Sequence, residues 1–305
     1  MSQPVFVISL DLELGWGFIL HPDHKALKLL RNDPQSGRGI VDLLLNLFQR
    51  YKIPVTWAVV GHLFLKQGEG KGLISRELPQ FRESWLNWNY YSQICDSPLY
   101  IAPDIIDKIL SSRVGHEIGL HSFFHIPFSM CSQAVAKLDV ELGVSLAQKC
   151  GIKVRSFVFP ENRAGHAETL KEQGIKIYRG NIPRLFNHTT SLLVRKITGA
   201  LSIVVPPPVI PLWKDGIWEL PGSMSFQDFL MPFISLPRAK IGLERAIRTG
   251  RLFHIWMHPW KLLQRRSLYD DLEKLLGFVA QERDKGNIHV MTMAEIVVEA
   301  QGRRW

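Results

Sequence analysis

The chain has 305 residues, 46% hydrophobic and 21% charged, which is enough apolar side chain to bury a full core. Its formal charge of +9 favours anionic partners, among them an acidic membrane surface touched peripherally and a phosphate-bearing or acidic glycan. Without a dense Lys/Arg block, zinc-finger spacing or RNA-binding signature, nucleic acid is not expected.

The three cysteines, Cys95, Cys131 and Cys150, form neither a metal-type pair nor a disulfide framework, which suits a reducing compartment. No basic leader precedes the first apolar run. The apolar stretch 200–213 is interrupted by Pro206, Pro207, Pro208 and Pro211, so it is not read as a spanning helix. A cytoplasmic protein is expected.

In chain order, residues 5–10 read as a strand, 40–51 as a helix ending before Pro54, and 55–60 as a second strand. Helix 104–113 leads to strand 117–120, helix 132–149 to strand 154–159, and helix 167–173 to strand 176–178. A helix at 239–249, a strand at 252–257, a helix at 268–283, a strand at 288–290 and a helix from 293 complete the series. Strands alternating with helices imply βαβ units and a parallel sheet. The expectation is one domain over 1–305, a distorted (β/α) barrel of about seven parallel strands, with long insertions near 64–97 and 181–236.

Asp11, His121, Pro160 and His258 each fall at the C-terminal end of a predicted strand, where a parallel barrel gathers its reactive groups. Alternation puts Asp11 and Glu13 on one face. It puts His254, Trp256 and His258 together, opposite Phe253, Ile255 and Met257. His121 and His125 in HSFFH have i, i+4 spacing, which on a helical turn stacks two imidazoles beside one divalent cation. Two histidines four apart are also a common surface or packing pair, and an isolated Asp is more often a helix cap. Here no amphipathic helix directly follows DLELGWG for Asp11 to cap, and a carboxylate at another strand end tips the pair towards metal.

The same segments resemble the polysaccharide deacetylase family (NodB homology, carbohydrate esterase family 4). ISLDLELGWG, TWAVVGHLF, GHEIGLHSFFHIPF, SFVFPENRAG and FHIWMHPW match its motifs in order, and VMTMAEIV its usual end. The resemblance implies a hydrolase of carbon–nitrogen bonds that takes the acetyl group from an N-acetylated sugar or glycan precursor. Its base falls on Asp11, its metal histidines on His121 and His125, and its general acid on His258. Two positions depart from the pattern. Leu12 stands where the metal aspartate usually follows the base, making Glu13 the stand-in ligand. Phe159 precedes Pro160 where an arginine usually orients the base, making Arg163 the candidate replacement. The implied cofactor is a divalent metal, zinc with cobalt or nickel as alternatives. Because the usual metal aspartate is absent, two further readings stand beside it: a metal-independent amidohydrolase acting on a small ureide, and a catalytically silent glycan-binding domain.

Overall fold

A computed structural model describes residues 3–76, 88–183, 205–227 and 234–302. The strands are β1 (Val5–Leu12), β2 (Thr56–Val59), β3 (Glu117–Leu120), β4 (Ser156–Val158), β5 (Ile177–Gly180), β6 (Leu212–Lys214), β7 (Ile217–Pro221), β8 (Met224–Ser225), β9 (Leu252–Met257) and β10 (His289–Val290). They form one sheet in the order β6-β7-β5-β4-β3-β2-β1-β9-β8, with β10 added to β1.

The two ends of that order meet through one run of chain. β7 pairs in parallel with β5, and the Gly222 amide still donates to Gly180 O (3.1 Å). One residue later the Ser223 amide donates to His254 O (2.7 Å), and Met224 enters register with Ile255 of β9. This strand changes partners half-way along, so β1, β2, β3, β4, β5, β7/β8 and β9 close a ring in which every pairing is parallel. The antiparallel β6 lies outside it as a hairpin on β7.

Strand alternation divides the core. Phe6, Ile8, Leu10 and Leu12 of β1, with Phe253, Ile255 and Met257 of β9, face the helices in the larger apolar cluster. Val5 and Val7 face inward, where they meet Ala58, Val158, Ile177, Leu220 and Leu252. The helix Met293–Gly302 stoppers the lower end with Met293, Ile296 and Val297. Its first amides are received by Thr56 Oγ1 (from Met293, 2.9 Å) and Glu117 Oε2 (from Ala294, 2.9 Å), satisfying donors that a helix start leaves open. Above the apolar layer the inward positions become polar, Ser9 and His254, then charged, Asp11 and Arg179.

Most expected elements are present at nearly the expected bounds. The second helix begins earlier, at Pro34–Tyr51, because Asp33 caps it by accepting from the Gln35 amide (3.1 Å) with Pro34 in its first turn. A helix at Lys25–Asn32, capped by His24, was not expected. The stretch 64–97 carries helices at Glu69–Arg76 and Trp88–Ile94, with 77–87 outside the described residues. The stretch 181–236 carries β6 to β8, with 184–204 and 228–233 outside them. Among the described residues no helix is long and apolar enough to cross a membrane.

Candidate active site

β1 carries Asp11 to the mouth of the ring and releases Glu13 just beyond it, and both carboxylates are buried. Glu13 Oε1 lies 3.2 Å from His121 Nε2 and 3.0 Å from His125 Nε2, and His258 Nε2 is 3.4 Å away. Glu13 Oε2 accepts from Trp260 Nε1 (3.2 Å).

The two histidines of HSFFH converge without the expected helical turn. Ser122 (φ 60°) and His125 (φ 59°) both adopt left-handed backbone, and the imidazole centroids lie 5.1 Å apart. Asp139, buried on the helix Gln133–Lys149, holds this loop. Its carboxylate accepts from the Phe123 amide (2.8 Å), the Phe124 amide (3.0 Å) and Ser122 Oγ (3.0 Å), while Ser122 Oγ accepts from the Ile126 amide (2.8 Å). Burial pushes the Asp139 carboxyl up to about 6 despite these three donors.

The surroundings test the expected metal ligands. His121 Nδ1 lies 2.7 Å from Val158 O, which only accepts, so the ring proton sits on Nδ1 and Nε2 presents a lone pair. That lone pair faces a carboxylate oxygen, an arrangement that requires a positive centre between them or a proton on the ring. His125 Nδ1 is buried with no hydrogen-bond partner, so nothing there fixes its tautomer. Glu13, His121 and His125 offer ligand atoms that all lie within 4.8 Å of one another. In donor type and convergence they fit a divalent cation.

Asp11 binds elsewhere. Arg179 Nη1 donates to Oδ1 (2.6 Å) and Nη2 to Oδ2 (2.7 Å), a bidentate pair buried at the end of β5. Arg179 also donates to Ser9 Oγ (3.2 Å) and Asn162 Oδ1 (3.1 Å), and its guanidinium lies 4.4 Å from the Trp256 ring centroid. Below it, His254 Nδ1 faces Pro221 O (3.3 Å), leaving Nε2 to accept from Ser9 Oγ (2.9 Å). Burial, with Arg179 nearby, lowers this imidazole to about 3, so it is neutral. Burial alone would raise the Asp11 carboxyl, but Arg179 overrides it and brings the group below its ordinary value.

Arg163, expected beside Asp11, instead sits at the surface, 3.2 Å from Glu161 and in contact with Met130 Sδ. In the same turn the amides of Asn162 and Arg163 are committed to Phe159 O and Pro160 O (3.0 Å each).

His258 is the accessible member of the cluster. Its side chain is 19% exposed, against 1–5% for Asp11, Glu13, His121 and His125, so approach is from its side. Gln227 Oε1 accepts from the His258 amide (3.4 Å) and from Nδ1 (2.8 Å), which turns Nε2 towards Glu13 and towards Asp11 Oδ2 at 3.7 Å. Burial would lower this imidazole, but Glu13 and Asp11 together raise it above its usual value. Beside the cluster runs a groove of about 680 Å³ lined by Trp256, Asn162, Asn181, Leu212, Glu219 and Pro221. Of these, Trp256 and Asn162 also touch Arg179, which lies between the groove and Asp11.

Sequence reading missed Arg179, Gln227, Trp260 and Asp139. Arg179 was within reach, since it directly follows a predicted strand, the same position that singled out His121 and His258. Gln227 had no such signal, because β8 is two residues long.

No protein-family model and no curated protein matches the chain. Solved structures do. A protein assigned as a polysaccharide deacetylase from Mycobacterium smegmatis superposes with a TM-score of 0.60 at 16% identity, over 100% of this chain and 93% of that one. One from Pseudomonas aeruginosa PAO1 gives 0.61 at 14%, over 96% and 89%. The chain has the polysaccharide-deacetylase fold. The Puue allantoinase shares that deacetylase fold, with a TM-score of 0.63 at 14% identity over 98% and 91%.

Proposed function

We propose that the chain is a hydrolase that removes the acetyl group from an N-acetylated sugar or glycan precursor, releasing acetate and a free amine. One observation carries this reading: Glu13 Oε1 meets the Nε2 atoms of both His121 and His125 at 3.0–3.2 Å, with Asp11 and His258 alongside.

Glu13, His121 and His125 would hold a divalent cation, zinc first, with cobalt or nickel as alternatives suited to mixed nitrogen and oxygen donors. Such a cation supplies Lewis-acid polarisation of the acetyl carbonyl when bound. Asp11 takes the proton of the attacking water. Arg179 keeps that carboxylate ionised and fixes the direction of both oxygens, which is the role the sequence suggested for Arg163. His258 gives a proton from Nε2 to the departing nitrogen, without which an amine leaves poorly. Gln227 supports this role by holding Nδ1–H, and Asp11 supports it by placing a carboxylate oxygen 3.7 Å from Nε2. The formal charge of +9 supports an anionic, phosphate-bearing precursor as substrate.

The test is acetate release from free, oligomeric and nucleotide-linked N-acetyl sugars by zinc-loaded protein, with allantoin as the control because an allantoinase shares the fold. Acetate release lost in His121→Ala supports the reading. Ring opening of allantoin without acetate release would move the site to cyclic ureides, and glycan binding without turnover would make it a binding domain.

A further inference from the structure

The carboxylate in the proposed metal site comes from a glutamate one position beyond the expected aspartate, so a longer side chain must deliver its oxygen to the same two imidazoles. The space it occupies has a specific origin. A Cβ placed on Gly17 would overlap Glu13 Oε2, and would lie 2.8 Å from Glu13 Cδ and 3.2 Å from its Cβ. Gly17 sits in the short 3-10 turn Trp16–Phe18 and is not among the residues with positive φ, so its backbone does not itself demand glycine. What demands it is the volume of the glutamate.

The same oxygen is held by Trp260, which donates from Nε1 to Oε2 at 3.2 Å. Trp260 is itself wedged by Phe18, centroids 4.9 Å apart, and by His24 at 5.3 Å. With Oε2 held there, Oε1 is left directed at His121 and His125. A free glutamate end could swing away from a new methyl group at little cost. This one cannot, because both oxygens are engaged and the residue is buried.

The geometry points to Gly17 and Trp260 as the positioning residues that fit Glu13 to a divalent cation: Gly17 makes the room and the Trp260 indole sets the rotation of the carboxylate. This rests on the metal reading given above. The expected signature is lost metal affinity in a protein that still folds, since the strain falls on one carboxylate and not on the core.

The experiment strips the protein with chelator and titrates zinc against a chromophoric competitor, reading affinity without turnover, with circular dichroism of the metal-free forms as the fold control. Gly17→Ala and Trp260→Phe should each weaken zinc by about 10- to 100-fold, the range for groups that orient a ligand. Glu13→Asp should also bind weakly, because its carboxylate is one methylene short. In that background Gly17→Ala should cost almost nothing further, as the shortened side chain has left the contested space. Unchanged zinc affinity in Gly17→Ala, or an equal loss in both backgrounds, overturns the cradle while leaving the metal site standing. Wild type that takes up no zinc overturns both. If Gly17→Ala does not fold, the Trp260→Phe affinity decides, because that change keeps an aromatic ring beside Phe18 and His24 and removes the indole donor.

Discussion

Arg179 and Asp11 are 168 residues apart in sequence and share two parallel hydrogen bonds of 2.6 and 2.7 Å in the buried mouth of the ring. A planar fork holds a carboxylate in one rotation, which an ammonium cannot do. Arg179→Lys should therefore keep most of the stability and lose about 10²-fold or more in turnover, in line with a misoriented catalytic group. Arg179→Met leaves a buried carboxylate uncompensated and should cost about 3–5 kcal/mol in a denaturant melt. Arg163→Ala, at the exposed pair with Glu161, should change neither measurement. Arg163→Ala falling as far as Arg179→Lys would return the orienting role to the surface residue.

His258→Ala should lower the rate of acetate release by about 10²- to 10⁴-fold, the usual contribution of a positioned acid, and leave bound metal unchanged by elemental analysis. His121→Ala should lose both. Retention of turnover in His258→Ala would show that another group protonates the leaving nitrogen.

Asp139 takes no part in the proposed chemistry, but its one carboxylate satisfies three donors of the histidine loop. Asp139→Ala orphans two buried amides and should destabilise by about 3 kcal/mol. Zinc affinity should fall as well, since Asp139 ties down Ser122, Phe123 and Phe124, the three residues between the two imidazoles. A melt unchanged from wild type would assign the loop's geometry to its aromatic packing instead.

Acid should weaken the fold through His62. This imidazole is fully buried, with Nδ1 donating to Tyr100 O (2.8 Å) and Nε2 accepting from Tyr91 Oη (2.7 Å), so its neutral form is satisfied and burial lowers it to about 4. Its folded value lies below the unfolded one, near 6.5. The stability it contributes is therefore complete above pH 6.5 and drains away as pH falls through 6.5 towards 4. The loss from this group should reach about 3 kcal/mol at the acid end. Urea melts at pH 7 and pH 4.5 measure it, and His62→Gln should show a smaller drop between them. An equal drop would place the acid sensitivity elsewhere.

The strand-end positions of Asp11, His121 and His258, and the inward face shared by His254, Trp256 and His258, were readable from the chain because alternation is a local property. A pleated strand must send alternate side chains to opposite faces whatever surrounds it. The parallel ring followed for the same reason, from strands and helices that each announce themselves within a dozen residues. Its closing strand did not, because β7 and β8 are short, contain Pro221 and are separated by Gly222 and Ser223, so their pairing exists only where β5 and β9 lie on either side. Local pattern also gave HSFFH the wrong backbone, since i, i+4 spacing is helical by default and it took Asp139, from a separate helix, to hold two left-handed residues in place. The clearest division is at Asp11. The chain showed which face its carboxylate takes. Its partner was decided across the lumen, where β5 brings Arg179 within bonding distance and the turn after β4 carries Arg163 out to water, because a charge's partner is set by three-dimensional proximity and by the cost of leaving it buried alone.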